Sequence, residues 1–238
     1  MVITRSYIYV CFVDFKKAFD TVIHSGIKYK LLQNNINGMF YRILCDMNKN
    51  NYLSVKLDSK FTQPFKSDIG VRQGDVLIPN IFKNFLNDLN ISIESSGIGT
   101  TLFNTNIGCL LYADDLVLIS DSKNGLQKQL NILNECLSVN ISKTKVIIFN
   151  KTGKLVQDIF HIDNQVIECA TSYKYIGIML QASEKFNQAR KMMYNKALKG
   201  MFKIRKDLSN LNPYINTLLY LYEHTIQPIA IMVESYGD

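Results

Sequence analysis

Short apolar runs bounded by polar or turn-forming residues predict the strands of this chain. Residues 7–15 form one such run, which is typical of a buried strand. Two further runs, 107–111 and 116–119, flank a short segment with two acids and predict a β-hairpin. Additional strands are predicted at 51–57, 61–69, 146–149 and 173–180, the first two as a hairpin around Asp58.

Apolar residues at intervals of three or four predict the helices. Pro79 falls in the first turn of one of them, where proline is tolerated. Because the strands are not separated by regular helical crossovers, the pattern favours an α+β fold with an antiparallel sheet. A boundary is expected after residue 182, which gives domains 1–182 and 183–238. The helices are predicted at 24–34, 38–48, from Pro79 onward, at 124–137, 183–208 and from Pro213 to about 225.

Two adjacent carboxylates occupy the tip of the predicted hairpin, in the sequence Tyr112-Ala113-Asp114-Asp115. Aspartate tolerates the left-handed backbone of a tight turn, so a solvated turn is the simple structural interpretation. Folding gains nothing from two like charges side by side, whereas a divalent cation requires hard oxygen ligands. Asp14, near the end of the 7–15 strand, adds a third carboxylate. Taken alone, Asp14 is better explained as a strand-end residue that caps the following helix.

Three features follow one another in an order that indicates phosphoryl transfer: Asp14, a glycine loop at 70–75, and the Asp114-Asp115 pair. Nucleotidyl transfer uses two metal ions about 3.5–4 Å apart that clamp the attacking and leaving oxygens. Asp14 and Asp114 are the predicted ligands, and Asp115 is predicted to be an accessory ligand or a neighbour of the ligands. The predicted cofactor is Mg²⁺, as two ions, for which Mn²⁺ can substitute.

The excess of basic residues favours a polyanionic partner. The 238 residues include 27 basic and 20 acidic side chains, a net charge of +7. The five cysteines are odd in number and widely spaced, which favours reduced, mostly buried thiols in an intracellular protein, in the nucleus or the cytoplasm. We find no signal peptide and no apolar run long enough to span a bilayer, so no membrane partner is expected.

Five segments, in chain order, resemble successive motifs of reverse transcriptases, with the best match to the non-LTR (LINE-like) retrotransposon branch. They are residues 12–20 (FVDFKKAFD), 70–74 (GVRQG), 112–115 (YADD), 142–145 (SKTK) and 173–177 (YKYIG). The resemblance runs from about residue 9 to 227. It implies a polymerase palm followed by a thumb-like helical segment, which together copy an RNA template from a DNA primer with deoxynucleoside triphosphates. A group II intron maturase or telomerase-like relative, and an inactive nucleic-acid-binding remnant, are the alternatives.

The resemblance also implies roles for residues near the carboxylates. Phe19 matches the steric gate that excludes a 2′-OH, although a core phenylalanine is the simpler interpretation. Gln73 and Gly74 match the loop that packs on the incoming nucleotide, with Arg72 either on phosphate or in solvent. Lys143 matches the lysine that protonates the leaving pyrophosphate, and Lys145 is the competing choice.

Two further groups are implied to hold nucleic acid. Residues 173–177, with Tyr175 and Gly177, match the primer grip, for which a plain core strand is the alternative. In the thumb-like helix, eight basic residues and one acid lie between 183 and 206. One stripe carries Lys196, Lys199, Lys203 and Lys206, and the opposite side carries Met193, Ala197, Met201, Ile204 and Leu208. A solvated helix face is the alternative.

Some features depart from the family pattern. The chain starts close to the Asp14 motif, so the fingers segment that lies upstream in relatives is expected to be missing. The connection between the 124–137 helix and Ser142 is short and is expected to displace Lys143. Asp75 and Ile78 stand where relatives commonly carry a small or uncharged residue and a serine. We therefore expect this chain alone to extend primers poorly. The oligomeric state is not predicted.

Overall fold

The computed structural model describes most of the chain. The described residues are 7–16, 20, 22–47, 49, 52–67, 69–70, 78–112, 114–183, 186–208, 211, 213–229 and 231, with the backbone alone at 78–85.

Helices and strands alternate irregularly along the chain, as predicted. The helices are α1 (His24–Gln33), α2 (Gly38–Met47), α3 (Ile78–Ser95), α4 (Lys123–Cys136), α5 (Asn187–Asp207) and α6 (Ile215–Leu221), and a π-helical turn, Tyr222–Ile226, continues α6. The strands are β1 (Tyr7–Val13), β2 (Tyr52–Leu53), β3 (Lys56–Leu57), β4 (Lys60–Phe61), β5 (Phe65–Lys66), β6 (Thr100–Leu102), β7 (Thr105–Ile107), β8 (Cys109–Tyr112), β9 (Asp115–Ser120), β10 (Lys145–Asn150), β11 (Phe160–Ile162), β12 (Gln165–Cys169), β13 (Ser172–Tyr175) and β14 (Ile178–Gln181).

A six-stranded sheet carries the centre of the fold, in the order β11-β12-β10-β1-β9-β8. β1 pairs antiparallel with β9, and β9 pairs antiparallel with β8. The middle strands are apolar because both of their faces are covered, and Cys11, Leu118 and Val146 are fully buried. The α+β class with an antiparallel sheet is confirmed.

Helices cover this sheet through apolar residues at helical spacing. α4 packs against β9 and β11, and its Leu126, Leu130 and Leu133 are fully buried. Ser122 caps α4, and its hydroxyl accepts a hydrogen bond from the Gly125 amide at 3.2 Å. A second cluster, which joins α1, α2 and α3, contains the buried residues Val22, Ile27, Leu31, Leu44 and Leu86.

The chain divides into two compact units. The larger unit contains residues 9–146 and 158–168, and the smaller contains 147–157 and the residues from 169 onward, with residues 1–8. The predicted thumb-like segment from 183 belongs to the smaller unit, and the boundary predicted after residue 182 stays a prediction.

Some predicted elements need correction. Residues 173–180 are not one strand but the hairpin β13–β14, because Ile176 and Gly177 both adopt positive φ, 44° and 81°, and turn the chain. The hairpins β6–β7 and β11–β12 were not predicted. All five cysteines are free thiols, but only Cys11 is buried. Among the described residues, no helix is both long and apolar enough to cross a membrane.

Candidate active site

The tight β8–β9 hairpin brings the paired aspartates to one edge of the sheet. Tyr112 pairs with Asp115, which leaves a two-residue connection that contains Asp114. Hairpins with such short connections favour residues that tolerate positive φ, and aspartate is one of them. Asp115 is therefore the first residue of β9, whereas the sequence predicted it in the turn. Both carboxylate residues are exposed.

Strand register brings Asp14 to the same edge. Val13, the last residue of β1, pairs with Leu116, so Asp14 and Asp115 are the next residues along the two neighbouring strands. Asp14 is half-buried. Burial raises the pKa of Asp115, and the nearby charges of Asp114 and Asp14 raise it further. Asp14 and Asp114 are thus both close enough to Asp115 for their charges to act on it, although Asp14 lies about a hundred residues before the other two in sequence.

No ion pair among the described residues involves these three carboxylates. The described residues also contain no group of three or more histidine, cysteine, aspartate or glutamate side chains arranged to hold a metal ion. Mg²⁺ usually binds through one or two carboxylates, keeps several waters and shares substrate phosphates. The donor type and the excess charge fit Mg²⁺ without a closed protein cage.

The turn formed by residues 138–144 (the 138–144 turn) holds the backbone of Asp14. The amide of Asn140 donates to the Asp14 carbonyl at 2.8 Å, and the amide of Asp14 donates to the Thr144 hydroxyl oxygen at 3.1 Å. Phe15 pairs with Val139 in an antiparallel bridge. The predicted short connection therefore runs directly alongside the residues that follow β1. Sequence reasoning missed Asn140 and Thr144, since neither has the chemistry of a catalytic group.

The two candidate lysines occupy different settings. Lys143 lies in the 138–144 turn and is exposed. Lys145 begins β10, and its ammonium lies 2.5 Å from a Glu168 carboxylate oxygen. No ion pair joins Lys143 to a described residue, so its ammonium is available while that of Lys145 is engaged.

The predicted steric gate Phe19 and the predicted glycine-loop residues Arg72, Gln73 and Gly74 lie outside the described residues. The entrance to the glycine loop is described at Gly70, which adopts φ +85°. Its amide donates to the Val22 carbonyl at 2.9 Å, and its carbonyl lies 2.7 Å from Nε2 of the buried His24. A β-carbon at Gly70 would lie 3.3 Å from the backbone oxygen of Asp20. His24 was not predicted, because one histidine in a helix carries no distinctive signal.

The segment matched to the primer grip forms a tight hairpin in the smaller unit. Tyr175 pairs with Ile178, and Ile176 and Gly177 make the two-residue connection. Tyr175 and Gly177 are half-buried, while Ile176 is 51% exposed. Positive φ is a rare conformation for a β-branched residue such as Ile176.

The thumb-like helix α5 carries the predicted lysine stripe on its surface. Lys196, Lys199, Lys203 and Lys206 are all exposed. On the predicted inner side, Met193 is buried, and Ala197, Ile204 and Leu208 are half-buried. Met201 is 49% exposed but lies on the same side of the helix as Ile204 and Leu208. Met201 lines an open apolar pocket of about 350 Å³ between α5 and the 215–226 helical segment.

Comparisons with known proteins agree with the motif order. A family model described as "Reverse transcriptase (RNA-dependent DNA polymerase)" matches residues 1–180. The chain is 34% identical over 193 residues to a Pol polyprotein from the type-1 retrotransposable element R2 of Nasonia vitripennis, covering 72% of this chain and 18% of the relative. It is 25% identical over 197 residues to an RNA-directed DNA polymerase from mobile element jockey of Drosophila funebris, covering 77% of this chain and 21% of the relative. The chain thus spans about a fifth of the length of these relatives.

Solved structures support the fold. A telomerase from Candida tropicalis, in complex with a fragment of telomeric RNA, superposes with a TM-score of 0.50 at 16% identity. The match covers 99% of this chain and 41% of that one.

Proposed function

Because this chain belongs to the reverse transcriptase family, we propose that it is the RNA-directed DNA polymerase region of a mobile element. It extends a DNA primer on an RNA template with deoxynucleoside triphosphates. The observation that carries this proposal is the meeting of Asp14, Asp114 and Asp115 at one sheet edge, with no described ion pair to offset their charge.

Asp14 and Asp114 are the proposed metal ligands, and Asp115 assists them. The reverse transcriptase family generally uses divalent metals, and two Mg²⁺ ions would supply charge stabilisation to the attacking and leaving oxygens. The task of the chain's own residues is to hold the carboxylates in place and to position primer and nucleotide. The register of β1 against β9 and the short β8–β9 connection support this assignment.

Lys143 is the proposed proton donor to the leaving pyrophosphate. A general acid needs a proton-bearing group that can reach the leaving oxygen. The exposed side chain of Lys143 meets that need better than Lys145, whose ammonium is engaged by Glu168.

Phe19, Arg72, Gln73 and Gly74 are the proposed nucleotide-binding residues. Phe19 would exclude the 2′-OH of ribonucleotides, and the glycine loop would pack on the incoming nucleotide. Support comes from the anchored entrance of the loop, where His24 contacts the Gly70 carbonyl.

Tyr175, Gly177 and the lysine stripe of α5 are proposed to hold nucleic acid. The stripe presents like charges at helical spacing with no acid between them, which suits phosphate contacts that do not depend on base sequence. Tyr175 and Gly177 would support the primer end.

A second candidate is a remnant that binds nucleic acid without polymerising. It is favoured by the separate location of the two features, because the exposed lysines belong to the smaller unit and the carboxylates belong to the larger one. This candidate predicts binding without extension.

Primer extension separates the two candidates. The purified chain is given an RNA template, a 5′-labelled DNA primer, deoxynucleoside triphosphates and Mg²⁺, and binding to the same duplex is measured in parallel. A second protein carries, ahead of this chain, the segment that lies upstream in the Nasonia relative. Extension in either protein that disappears in Asp114→Asn supports the polymerase. Tight duplex binding with no extension in either protein supports the remnant.

A further inference from the structure

We propose that Thr144 is a positioning residue for the metal-binding carboxylate of Asp14. Its hydroxyl fixes the backbone of Asp14 where β1 ends and so sets the direction of the carboxylate. This inference rests on the proposed function, because it assumes that Asp14 holds a divalent cation.

Asp14 lies just past the end of β1, which is flanked in the sheet by β9 and β10. The register of β1 with β9 ends at the pair Val13–Leu116. Beyond it, the chain contacts the 138–144 turn, which leads into β10: Phe15 bridges Val139, and the Lys16 amide donates to the Ser138 carbonyl at 3.4 Å. Past the end of the β9 register, the turn that leads into β10 therefore holds the backbone around Asp14.

Both backbone polar groups of Asp14 are bound by this turn. The carbonyl accepts from the Asn140 amide at 2.8 Å, and the amide donates to the Thr144 hydroxyl at 3.1 Å. Thr144 is fully buried, and its own amide donates to the Asn140 carbonyl at 2.9 Å, which closes the turn. The backbone from which the Asp14 side chain projects is thus held in part by a buried hydroxyl 130 residues away in sequence.

A buried hydroxyl in this place is not explained by packing alone. Valine has the same shape as threonine and would fill the same space, but it cannot accept a hydrogen bond. The Asp14 amide would then lack its partner, and the backbone at the end of β1 would be free to shift. Residues that orient metal ligands through hydrogen bonds typically change metal affinity when they are removed.

The test measures Mn²⁺ binding by the full chain, using the electron paramagnetic resonance signal of free Mn²⁺. Thr144→Val should weaken binding about 10- to 100-fold, the usual effect of losing a group that orients a ligand. Thr144→Ser keeps the acceptor and should bind Mn²⁺ as the unmodified chain does. Asp14→Asn gives the Mn²⁺ affinity that is expected when the proposed ligand itself is lost.

Ser120→Ala is the matched control for general destabilisation. Ser120 is also fully buried, and its hydroxyl accepts from the Ser122 amide at 3.2 Å. It lies at the other end of β9, about 16 Å along the strand from Asp115 at the usual rise per residue. Its loss should lower thermal stability but leave Mn²⁺ affinity unchanged.

A double-mutant cycle shows whether Thr144 acts through Asp14. In the Asp14→Asn background, Thr144→Val should cause no further loss of Mn²⁺ affinity, because the group that it orients is already gone. If Thr144→Val does not fold, Thr144→Cys replaces it, since its thiol stands in place of the hydroxyl but sulfur is only a weak hydrogen-bond acceptor. Thr144→Cys should then bind Mn²⁺ more weakly than Thr144→Ser.

The failures of the two proposals are distinguishable. If Asp14→Asn loses Mn²⁺ while the Thr144 variants bind normally, the positioning role is wrong and the metal assignment stands. Equal losses in Thr144→Val, Thr144→Ser and Ser120→Ala would also overturn it, because they would reflect stability alone. If Asp14→Asn binds as the unmodified chain does, Asp14 holds no metal, and both the inference and its premise fall.

Discussion

The carboxylate edge of the larger unit and the lysine stripe of α5 are built in opposite ways. Asp14 and Asp115 come together through strand register, and the 138–144 turn binds the backbone of Asp14 on both sides. The stripe needs only one helix, whose lysines stand three or four residues apart and in solvent. Chemistry on a phosphate demands fixed positions, whereas holding a nucleic-acid backbone demands charge on a surface.

This contrast has a consequence for how each region tolerates change. A small displacement of Asp14 moves a proposed metal ligand relative to the other two carboxylates, so substitutions elsewhere in the fold are expected to affect metal binding. A lysine on α5 can be replaced with loss of one contact and little effect on its neighbours.

The largest effect is expected at the carboxylates. Asp14→Asn and Asp114→Asn should each lower Mg²⁺-dependent primer extension by about 100- to 1,000-fold, because each removes a fixed charge at the reacting phosphate. Asp115→Asn should have a smaller effect. The initial rate of primer extension measures the loss, in whichever of the two proteins extends primers: the chain alone or the chain preceded by the upstream segment of the Nasonia relative. The control is Asp58→Asn, in an exposed turn where φ is 54° and asparagine fits equally well. A comparable loss of primer extension in Asp58→Asn would show that the carboxylates at the sheet edge have no specific role in the reaction.

The next effect concerns the stripe. Replacing Lys196, Lys199, Lys203 and Lys206 with glutamine should flatten the salt dependence of duplex binding. Each lost phosphate contact lowers the slope of log affinity against log salt by about 0.7–0.9. Binding isotherms at several salt concentrations measure the slope.

The matched control for the stripe makes the same change of net charge elsewhere. It replaces four exposed lysines, Lys49, Lys128, Lys151 and Lys154. An equal drop in slope for both sets would mean that overall charge, and not the α5 stripe, drives binding.

A third prediction concerns the entrance to the glycine loop. Gly70→Ala should lower the free energy of unfolding by about 1–3 kcal/mol, the usual cost of a strained backbone. Gly97→Ala is the control that separates backbone strain from crowding. Gly97 also has positive φ, but no atom lies within 4 Å of the β-carbon that the substitution would add. Urea denaturation should therefore rank Gly70→Ala as the more damaging change. The reverse ranking would show that the contact with Asp20 does not constrain the loop.

The smallest effect is the pH dependence of Asp115. Its pKa is raised above the ordinary value of 3.8, so the folded chain holds this proton more tightly than the unfolded chain does. The resulting stabilisation is present at low pH and is lost as pH rises through the folded pKa. Metal-free Asp115→Asn should therefore be more stable than the unmodified chain at neutral pH, by at most about 1 kcal/mol because the side chain is exposed. The difference should vanish below the ordinary pKa. A difference that grew on acidification would contradict the sign.

Local signals in the sequence predicted much of the fold. Helical periodicity indicated α4 and the lysine stripe, and alternating runs indicated the β8–β9 hairpin. α5 begins four residues later than predicted, at Asn187, and no side-chain cap marks its start. The β11–β12 hairpin could have been found, because Asp163 and Asn164 adopt positive φ and are typical of a two-residue turn.

Other features were beyond local reasoning. Ile176 adopts positive φ in a turn, whereas isoleucine usually favours extended strand backbone. The sequence pattern therefore predicted one continuous strand over residues 173–180. The contacts of Thr144 and His24 join residues 130 and 46 positions apart. Nothing in a single sequence fixes such pairings, whereas the motif order was sufficient to indicate the family, which the family match confirms.

The central claim is that Asp14 and Asp114 hold a divalent metal at one sheet edge. Fe²⁺ tests it directly, because Fe²⁺ bound in place of Mg²⁺ generates hydroxyl radicals that cleave nearby backbone. With ascorbate and peroxide, mass spectrometry should find cleavage concentrated near residues 13–16 and 112–116, and both clusters should disappear in Asp14→Asn and Asp114→Asn. Cleavage spread evenly along the chain, or unchanged in those variants, would contradict the account.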